Sequence, residues 1–413
     1  MKILYSFSRA LILLVLLASI ITCRSRRGED IARKDLFSLK YGKLENQIDL
    51  FQIPGRTYQS GTAVFMRGGL FYLTDGNSRK LMEFTSYGDL IFMLYNPSSN
   101  PRPTLLNTDV GDREKTTKQA VAFDFNSPGK TVVSSFNDIY MIDRVGDERS
   151  IRDKKRGVVL NRILLHFNKK GEFLNFIGQE GIGGSPFPYI DGLYITKYDQ
   201  LIVITRTPKA WEIFWFKPDG EILHHVSIDV STFSSLIDKE MSISIERIIP
   251  DRVLEKIYIS VSVFKDIIDP ATRVKSTVKR IGGRIYQFDM RANKLGGYLE
   301  IPEDKVQKPS ESNGEIEQAM LPSYELFGIT EDHFYYLLRY ESNNRTRLLI
   351  LNSNGKVMTE RTMLTGDSSL IYRYLSMDAS GIVYGMLAND ERARIVWWRT
   401  DKILARYKES GYE

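Results

Sequence analysis

The chain is poor in the residues that most often carry chemistry: its 413 residues include one cysteine, four histidines and four tryptophans. A lone Cys23 closes no disulfide within the chain and builds no thiolate zinc site, which needs several ligands at fixed spacing. His166, His224, His225 and His333 lack the spacing of a zinc helix or a paired metal site. His224 and His225 are neighbours in a strand-like run, so their side chains point to opposite faces and cannot share one ion. There is no Gly-x-Ser-x-Gly elbow and no evident Ser, His and Asp set for a hydrolase of that kind. Beyond residue 22 no apolar run is long enough to cross a bilayer as a helix. Charge of one sign is scarce too. The 57 Lys and Arg against 51 Asp and Glu leave +6, a mild balance that does not argue for nucleic acid as a partner.

What is abundant is aromatic and β-branched character in short alternating runs, with 21 Phe and 22 Tyr. Residues 161–206, NRILLHFNKKGEFLNFIGQEGIGGSPFPYIDGLYITKYDQLIVITR, show the pattern most clearly. Period-two runs are punctuated by Asn168-Lys169-Lys170-Gly171 and Lys197-Tyr198-Asp199-Gln200, which reads as a β-meander. The run Gly178-Gln179-Glu180-Gly181-Ile182-Gly183-Gly184 is no phosphate cradle, because Pro186, Pro188 and another strand follow where a helix N-terminus would be needed. With Gly171, Gly178, Gly181, Gly183, Gly184, Phe187 and Pro188 in these places, the stretch resembles a blade of the NHL type of β-propeller. Residues 61–94 resemble it as well.

Six such units follow one another, at residues 61–94, 119–177, 189–227, 242–299, 324–357 and 372–407. Repeats of this length predict an all-β, single six-bladed β-propeller of four-stranded antiparallel blades, or a seven-bladed one if residues 96–118 hold strands. Residues 47–54 alternate like one isolated strand, and are expected to close the ring by pairing with the last blade. Loops joining first to second and third to fourth strands are short throughout. The long insertions, residues 96–118, 144–158, 265–279 and 302–322, belong to the opposite face. The last of these is rich in Pro, Glu, Ser and Lys and is expected to be disordered.

The N-terminus carries an address. Lys2 and Arg9 precede an apolar run, residues 10–21, that fits the h-region of a signal peptide. Ser19-Ile20-Ile21-Thr22 before Cys23 is similar to the relaxed lipobox of spirochaetal lipoproteins, which implies that Cys23 is the lipidation site. Thr22 departs from the small residue of the strict bacterial pattern. The expected organisation is a signal peptide at 1–22, a lipidated polar tether at 23–45, the propeller at 46–408 and a tail at 409–413. The protein is then exported and held to a membrane of the bacterial cell envelope by its lipid, as a monomer, facing the periplasm or the cell surface.

Two sets of residues stand out as functional candidates. Asp124, Asp191, Glu246 and Glu331 lie in or near first strands and so near a central channel. The resemblance to six-bladed lactonase-like enzymes implies that such carboxylates can hold calcium, which takes oxygen ligands. Carboxylates that merely satisfy backbone amides or water at the channel mouth are the expected alternative, and no cofactor is otherwise called for. The larger expectation rests on two basic insertions. One holds Arg144, Arg149, Arg152, Lys154, Lys155 and Arg156, the other Arg273, Lys275, Lys279 and Arg280. A face of that charge attracts an acidic envelope protein, a glycan or anionic lipid. The expected function is a non-enzymatic interaction scaffold, with a calcium-dependent hydrolase and a surface adhesin as its rivals.

Overall fold

The computed structural model describes residues 30–50, 61–108, 118–238, 240–269, 271–303, 305–309, 316–320, 323–341, 345–365 and 369–409. Its short alternating runs pair each with the next in sequence, and the resulting meanders are the blades of a six-bladed β-propeller. Blade 1 comprises Ala63–Arg67, Leu70–Asp75, Lys80–Thr85 and Leu90–Tyr95, and blade 2 Thr131–Val133, Ile139–Arg144, Arg162–Phe167 and Phe173–Gly178. Blade 3 comprises Tyr189–Ile195, Leu201–Arg206, Trp211–Phe216 and Ile222–Ile228. Blade 4 is the longest, with Met241–Pro250, Lys256–Ile268, Lys275–Asp289 and Lys294–Ile301. Blade 5 comprises Glu325–Ile329, Tyr335–Tyr340, Arg345–Leu351 and Val357–Leu364. Blade 6 has Tyr372–Met377, Val383–Ala388 and Ala393–Trp398 from its own stretch of chain.

Alternation builds the core directly. In the second strand of blade 1, Phe71 and Leu73 face blade 6 while Tyr72 faces blade 2. The buried apolar residues fall into six clusters, one at each junction between neighbouring blades, so the ring has no open junction. Trp215 and Trp398 are fully buried in two of them.

The seam lies elsewhere than the isolated run at 47–54. The fourth strand of blade 6 is Lys34–Tyr41, antiparallel to Ala393–Trp398, with Lys34 opposite Trp397 and Leu39 opposite Ala393. This stretch reads as a polar tether because an outermost strand keeps one edge and much of both faces in water. Only Leu39 of its eight residues is buried. Upstream, Asp30–Ile31 adds to blade 5, so within the tether expected at 23–45 residues 30–31 and 34–41 are strand. Among the described residues Gln47–Ile48 pairs only with Lys40–Tyr41, and the expected signal peptide, Cys23 and residues 51–54 lie outside the described residues. The C-terminal stretch expected as a strand is the helix Asp401–Glu409, its Leu404 packed under blades 5 and 6.

Other assignments shift as well. The strand expected near residues 120–123 to open the second unit is Gln119–Ala122, which instead runs parallel to the outer strand of blade 1. Among the described residues, 96–118 hold no seventh blade, only a bridge from Asn107 to Gln119. Residues 265–279 are largely strand rather than loop, because the two middle strands of blade 4 run on past their neighbours. The insertion expected to be disordered carries a hairpin, Lys305–Pro309 with Ile316–Met320.

A buried polar lock fixes the seam. Lys80, fully buried, donates to the carbonyl of Leu44 at 2.7 Å and lies 3.8 Å from Asp75, itself fully buried. Asp75 accepts the amides of Asp49 at 2.8 Å and Ser78 at 3.0 Å. Glu45 accepts the amides of Thr104 at 2.8 Å and Leu105 at 2.6 Å. Burial lowers the Lys80 ammonium to about 8 and raises the Asp75 carboxyl, with the attraction between them opposing both shifts.

Removing one member of a buried pair strands the other, so Lys80→Met is expected to cost roughly 3–5 kcal/mol in chemical denaturation. A loss within the range of ordinary surface substitutions would refute the lock. A second expectation concerns Glu83, whose carboxyl burial raises to about 7 while the Tyr72 hydroxyl donates to it at 3.2 Å. A folded pKa above the unfolded 4.5 means that its stabilising contribution is complete below pH 4.5 and lost as pH rises through about 7. Glu83→Gln should therefore raise the melting temperature above pH 7 and leave it nearly unchanged at pH 4. Equal shifts at both would contradict this.

Candidate functional site

Turns between first and second strands share one face of the ring, here called lower. Those between second and third strands, and the crossings between blades, share the upper face. The upper face is built up by three projections. They are the hairpin Ile151–Asp153 with Val158–Leu160 on blade 2, the extension of blade 4 beyond Lys265 and Gly283, and the 305–320 hairpin between blades 4 and 5.

The ten basic residues expected on this face divide into two groups. Arg144 pairs with Asp147 at 3.1 Å, Lys275 with Asp266 at 2.8 Å and Arg280 with Glu303, while Arg149 lies 4.9 Å over the Phe176 ring. Arg156 is a strap: it donates to Gln179 at 3.2 Å and lies 3.6 Å from both Glu212 and Asp153. It ties the blade 2 hairpin down over the glycine-rich crossing. There a Cβ on Gly178 would sit 2.3 Å from the Gly184 carbonyl, so close backbone packing accounts for that glycine. Arg152, Lys154, Lys155, Arg273 and Lys279 are exposed, and no carboxylate among the described residues pairs with them. Exposed apolar side chains lie between them, Ile151 and Val159 on one hairpin and Ile267, Ile268, Val274 and Val278 on the other.

The channel departs from expectation. Asp124 accepts a hydrogen bond from Asn96 at 2.7 Å in the crossing from blade 1 to blade 2. Asp191 and Glu246 are the extra residues of β-bulges in two innermost strands, where the pairing slips past them, and Glu331 sits on the lower face. Glu246 lines a cleft of about 400 Å³ between blades 4 and 5, shared with Arg247, Arg280 and Glu325. The four carboxylates do not converge, and among the described residues no three His, Cys, Asp or Glu are grouped to hold a metal ion. The four carboxylates named for calcium therefore do not form one site.

Cations line the axis instead. An innermost strand has no neighbour on the channel side, so its edge carbonyls need donors. Arg67 of blade 1 donates to the Val133 carbonyl of blade 2 at 2.7 Å, and Lys130 of blade 2 to the Asp191 carbonyl of blade 3. Arg247 reaches the Leu326 carbonyl of blade 5 at 3.1 Å, and Arg252 the Met377 carbonyl of blade 6 at 3.4 Å. Burial holds the Lys130 ammonium below its ordinary value and Arg247 pushes it the same way, against the pull of Asp191. Tyr194, raised by burial, feels both Arg247 and Arg252. The one available signal was the break in alternation at Glu246-Arg247 within Met241–Pro250.

The histidines are used structurally. His224 lies 2.7 Å from Glu255, which Arg291 also grips at 2.6 and 2.7 Å. Arg291 first, then His224, holds the Glu255 carboxyl down at about 2 against the opposing effect of burial. His166 stacks on Tyr140 with ring centroids 4.2 Å apart, and His333 lies 3.0 Å from Asp251.

No family model matches the chain, and no match to a curated protein is found. Solved structures that resemble it include an ulvan lyase, a polysaccharide lyase, at 10% identity with a TM-score of 0.42, covering 88% of this chain and 95% of that one. The β-propeller domain of the Trilobed protease from Pyrococcus furiosus shares 11% identity with a TM-score of 0.38, over 83% and 95% of the two chains. A DUF4221 protein from Bacteroides vulgatus shares 10% with a TM-score of 0.39, over 89% and 97%. None of these likenesses bears on activity.

If Arg156 straps the blade 2 hairpin, Arg156→Ala should speed amide hydrogen exchange across residues 151–160 by about tenfold. Glu212 is buried, so the loss of its Arg156 partner should also lower the midpoint of global unfolding. Unchanged exchange would refute the strap.

Proposed function

We propose that the protein is an interaction scaffold of the bacterial cell envelope, exported, anchored through Cys23, and receiving an acidic protein or glycan on its upper face. One observation carries this reading. Arg152, Lys154, Lys155, Arg273 and Lys279 stand without carboxylate partners among the described residues, on two hairpins of the same face. A cation already satisfied inside the protein has little left to offer a ligand. An unpaired one keeps its charge for long-range attraction and its hydrogen-bond donors for contact. The exposed Ile151, Val159, Ile267, Ile268, Val274 and Val278 add apolar area within the same projections, the mixture that a rim-and-core interface uses. Projection on hairpins leaves the blades rigid behind them, and this suits recognition on a fixed scaffold. The hydrolase rival has no observation in its favour, since its four carboxylates lie apart.

The experiment is elution of the full chain from immobilised heparin and from immobilised polyglutamate. Replacing Arg152, Lys154, Lys155 and Lys279 with Glu should move elution to much lower salt without changing the unfolding midpoint. Cys23→Ser, by contrast, should leave elution unchanged and shift the protein from the detergent phase to the aqueous phase in detergent partitioning. Unchanged elution of the charge-reversed protein would overturn the basic-face reading, and unchanged partitioning of Cys23→Ser would overturn the anchor.

A further inference from the structure

The lower end of the channel holds a cavity of about 260 Å³ lined by residues from five of the six blades. Arg67, Lys197, Arg252, Glu331 and Asp378 supply its charged groups. They come from the end of the first strand of blade 1 and the turns after the first strands of blades 3, 4, 5 and 6, so the cavity lies on the axis of the ring. Arg67 and Arg252 are each held from one side by the carbonyls of Val133 and Met377. A guanidinium carries five donors, so both have donors to spare. Arg67 also lies 3.8 Å from Asp199. Lys197 is exposed, its amide donates to the Arg252 carbonyl at 2.8 Å, and no described carboxylate pairs with its ammonium. Of the two carboxylates, Asp378 is already engaged by the Ser380 hydroxyl at 2.9 and 3.0 Å and by the Ile382 amide at 2.7 Å. Burial also pushes the Asp378 carboxyl toward its neutral form. The lining carries three cations against two carboxylates, with Asp199 beside Arg67.

On the same lower face, two aromatic side chains take no part in the core. Phe136 is 74% exposed and Tyr198 is 57% exposed, on the adjacent turns of blades 2 and 3. Both turns are rigid. Asn137 and Asp199 hold left-handed backbone, at φ of 66° and 59°, and Asp199 accepts the Ser135 amide at 2.7 Å and its hydroxyl as well. The two side chains therefore project from adjoining turns on the same face of the ring as the cavity.

We propose that this axial mouth is a binding site for a small organic anion, with a carboxylate or phosphate head among Arg67, Lys197 and Arg252 and an apolar body or ring against Phe136 and Tyr198. The site is independent of the basic hairpins, which project from the opposite face. Phosphate and carboxylate heads share the chemistry that these cations recognise, and the shape of the head decides between them.

Calorimetric titration of the full chain with inorganic phosphate, phenyl phosphate and benzoate tests the assignment. At least one of the two aromatic anions should bind saturably, and more tightly than inorganic phosphate. A preference for phenyl phosphate identifies a phosphate head, and a preference for benzoate a carboxylate head. Lys197→Glu should weaken the preferred probe by about tenfold or more, and Tyr198→Ala should weaken the aromatic probes while sparing inorganic phosphate. Arg252→Gln should also weaken binding. Because Arg252 also bridges blades, Lys197→Glu is the deciding variant: Lys197 is exposed and touches no core group. Lys154→Glu on the upper face should change nothing. The proposal is overturned if no probe saturates, if Lys197→Glu binds like the wild type, or if Lys154→Glu weakens binding as much as Lys197→Glu does.

Discussion

A ring of sheets stands or falls with its seam. Each blade buries its two faces against its neighbours, so the cluster between blades 6 and 1 exists only while the strand Lys34–Tyr41 holds the chain's beginning to its end. The sequence separation across that pairing is very large, but loop-closure entropy grows only logarithmically, adding about 0.6 kcal/mol for each doubling of length. Distance along the chain is therefore not the difficulty. The difficulty is that an outermost strand buries little and must be retained by something other than its own hydrophobicity. The lock of Lys80, Asp75 and Glu45 supplies this, because it grips the backbone of residues 44–49 where that segment passes over blade 1. A buried ammonium is a poor source of net stability but a strict one for geometry. It ties the segment to the position in which Lys80 reaches the Leu44 carbonyl and Asp75 accepts the Asp49 amide.

The same ring geometry imposes a second constraint at the opposite edge of each blade. Innermost strands cannot pair with one another across the axis, and they still carry a row of carbonyls. Arg67, Lys130, Arg247 and Arg252 each cross from one blade to a carbonyl on another, so the axis is bridged by charge-assisted hydrogen bonds. A bulge helps to aim one of them, Arg247, which follows the extra residue Glu246. In blades 3, 4 and 5 the pairing slips by one residue at Asp191, Glu246 and Phe327, turning side chains that strict alternation would send between blades. The channel is consequently cationic where a reading of first-strand carboxylates expects it to be acidic.

What could be read from residues alone follows from these two constraints. Middle strands bury both faces, and their apolar runs announce them. Arg162–Phe167 and Trp211–Phe216 stand where the alternation puts them. The outermost strand at the seam does not announce itself, because KDLFSLKY satisfies its pairing with charged residues facing water. Gln119–Ala122 misleads for the opposite reason, being as apolar as an inner strand while it lies outermost on blade 1. The basic insertions were legible as composition, but whether a given cation is free depends on partners such as Glu212 and Glu303, which only the fold brings to Arg156 and Arg280. The axial mouth was not legible at all. Its residues at 67, 197, 252, 331 and 378 have no common motif, and only the ring places them together.

The two faces therefore solve different problems with the same residue types. On the upper face, cations sit on hairpins that reach away from the blades, where water screens them and each contributes to a diffuse attraction that weakens with salt. On the axis, Arg67 and Arg252 are half-buried and are oriented by strand carbonyls before any ligand arrives, so a bound anion would not have to organise them. Lys197 marks the boundary between the two regimes, since it shares the axial position but keeps its ammonium in solvent. A preorganised site with one unpaired member is the arrangement that allows a small ligand to be held tightly. The extended hairpins suit a large partner that is first steered and then docked. Because the blades between them are packed through six continuous apolar clusters, occupation of one face need not deform the other, and the propeller can present both at once.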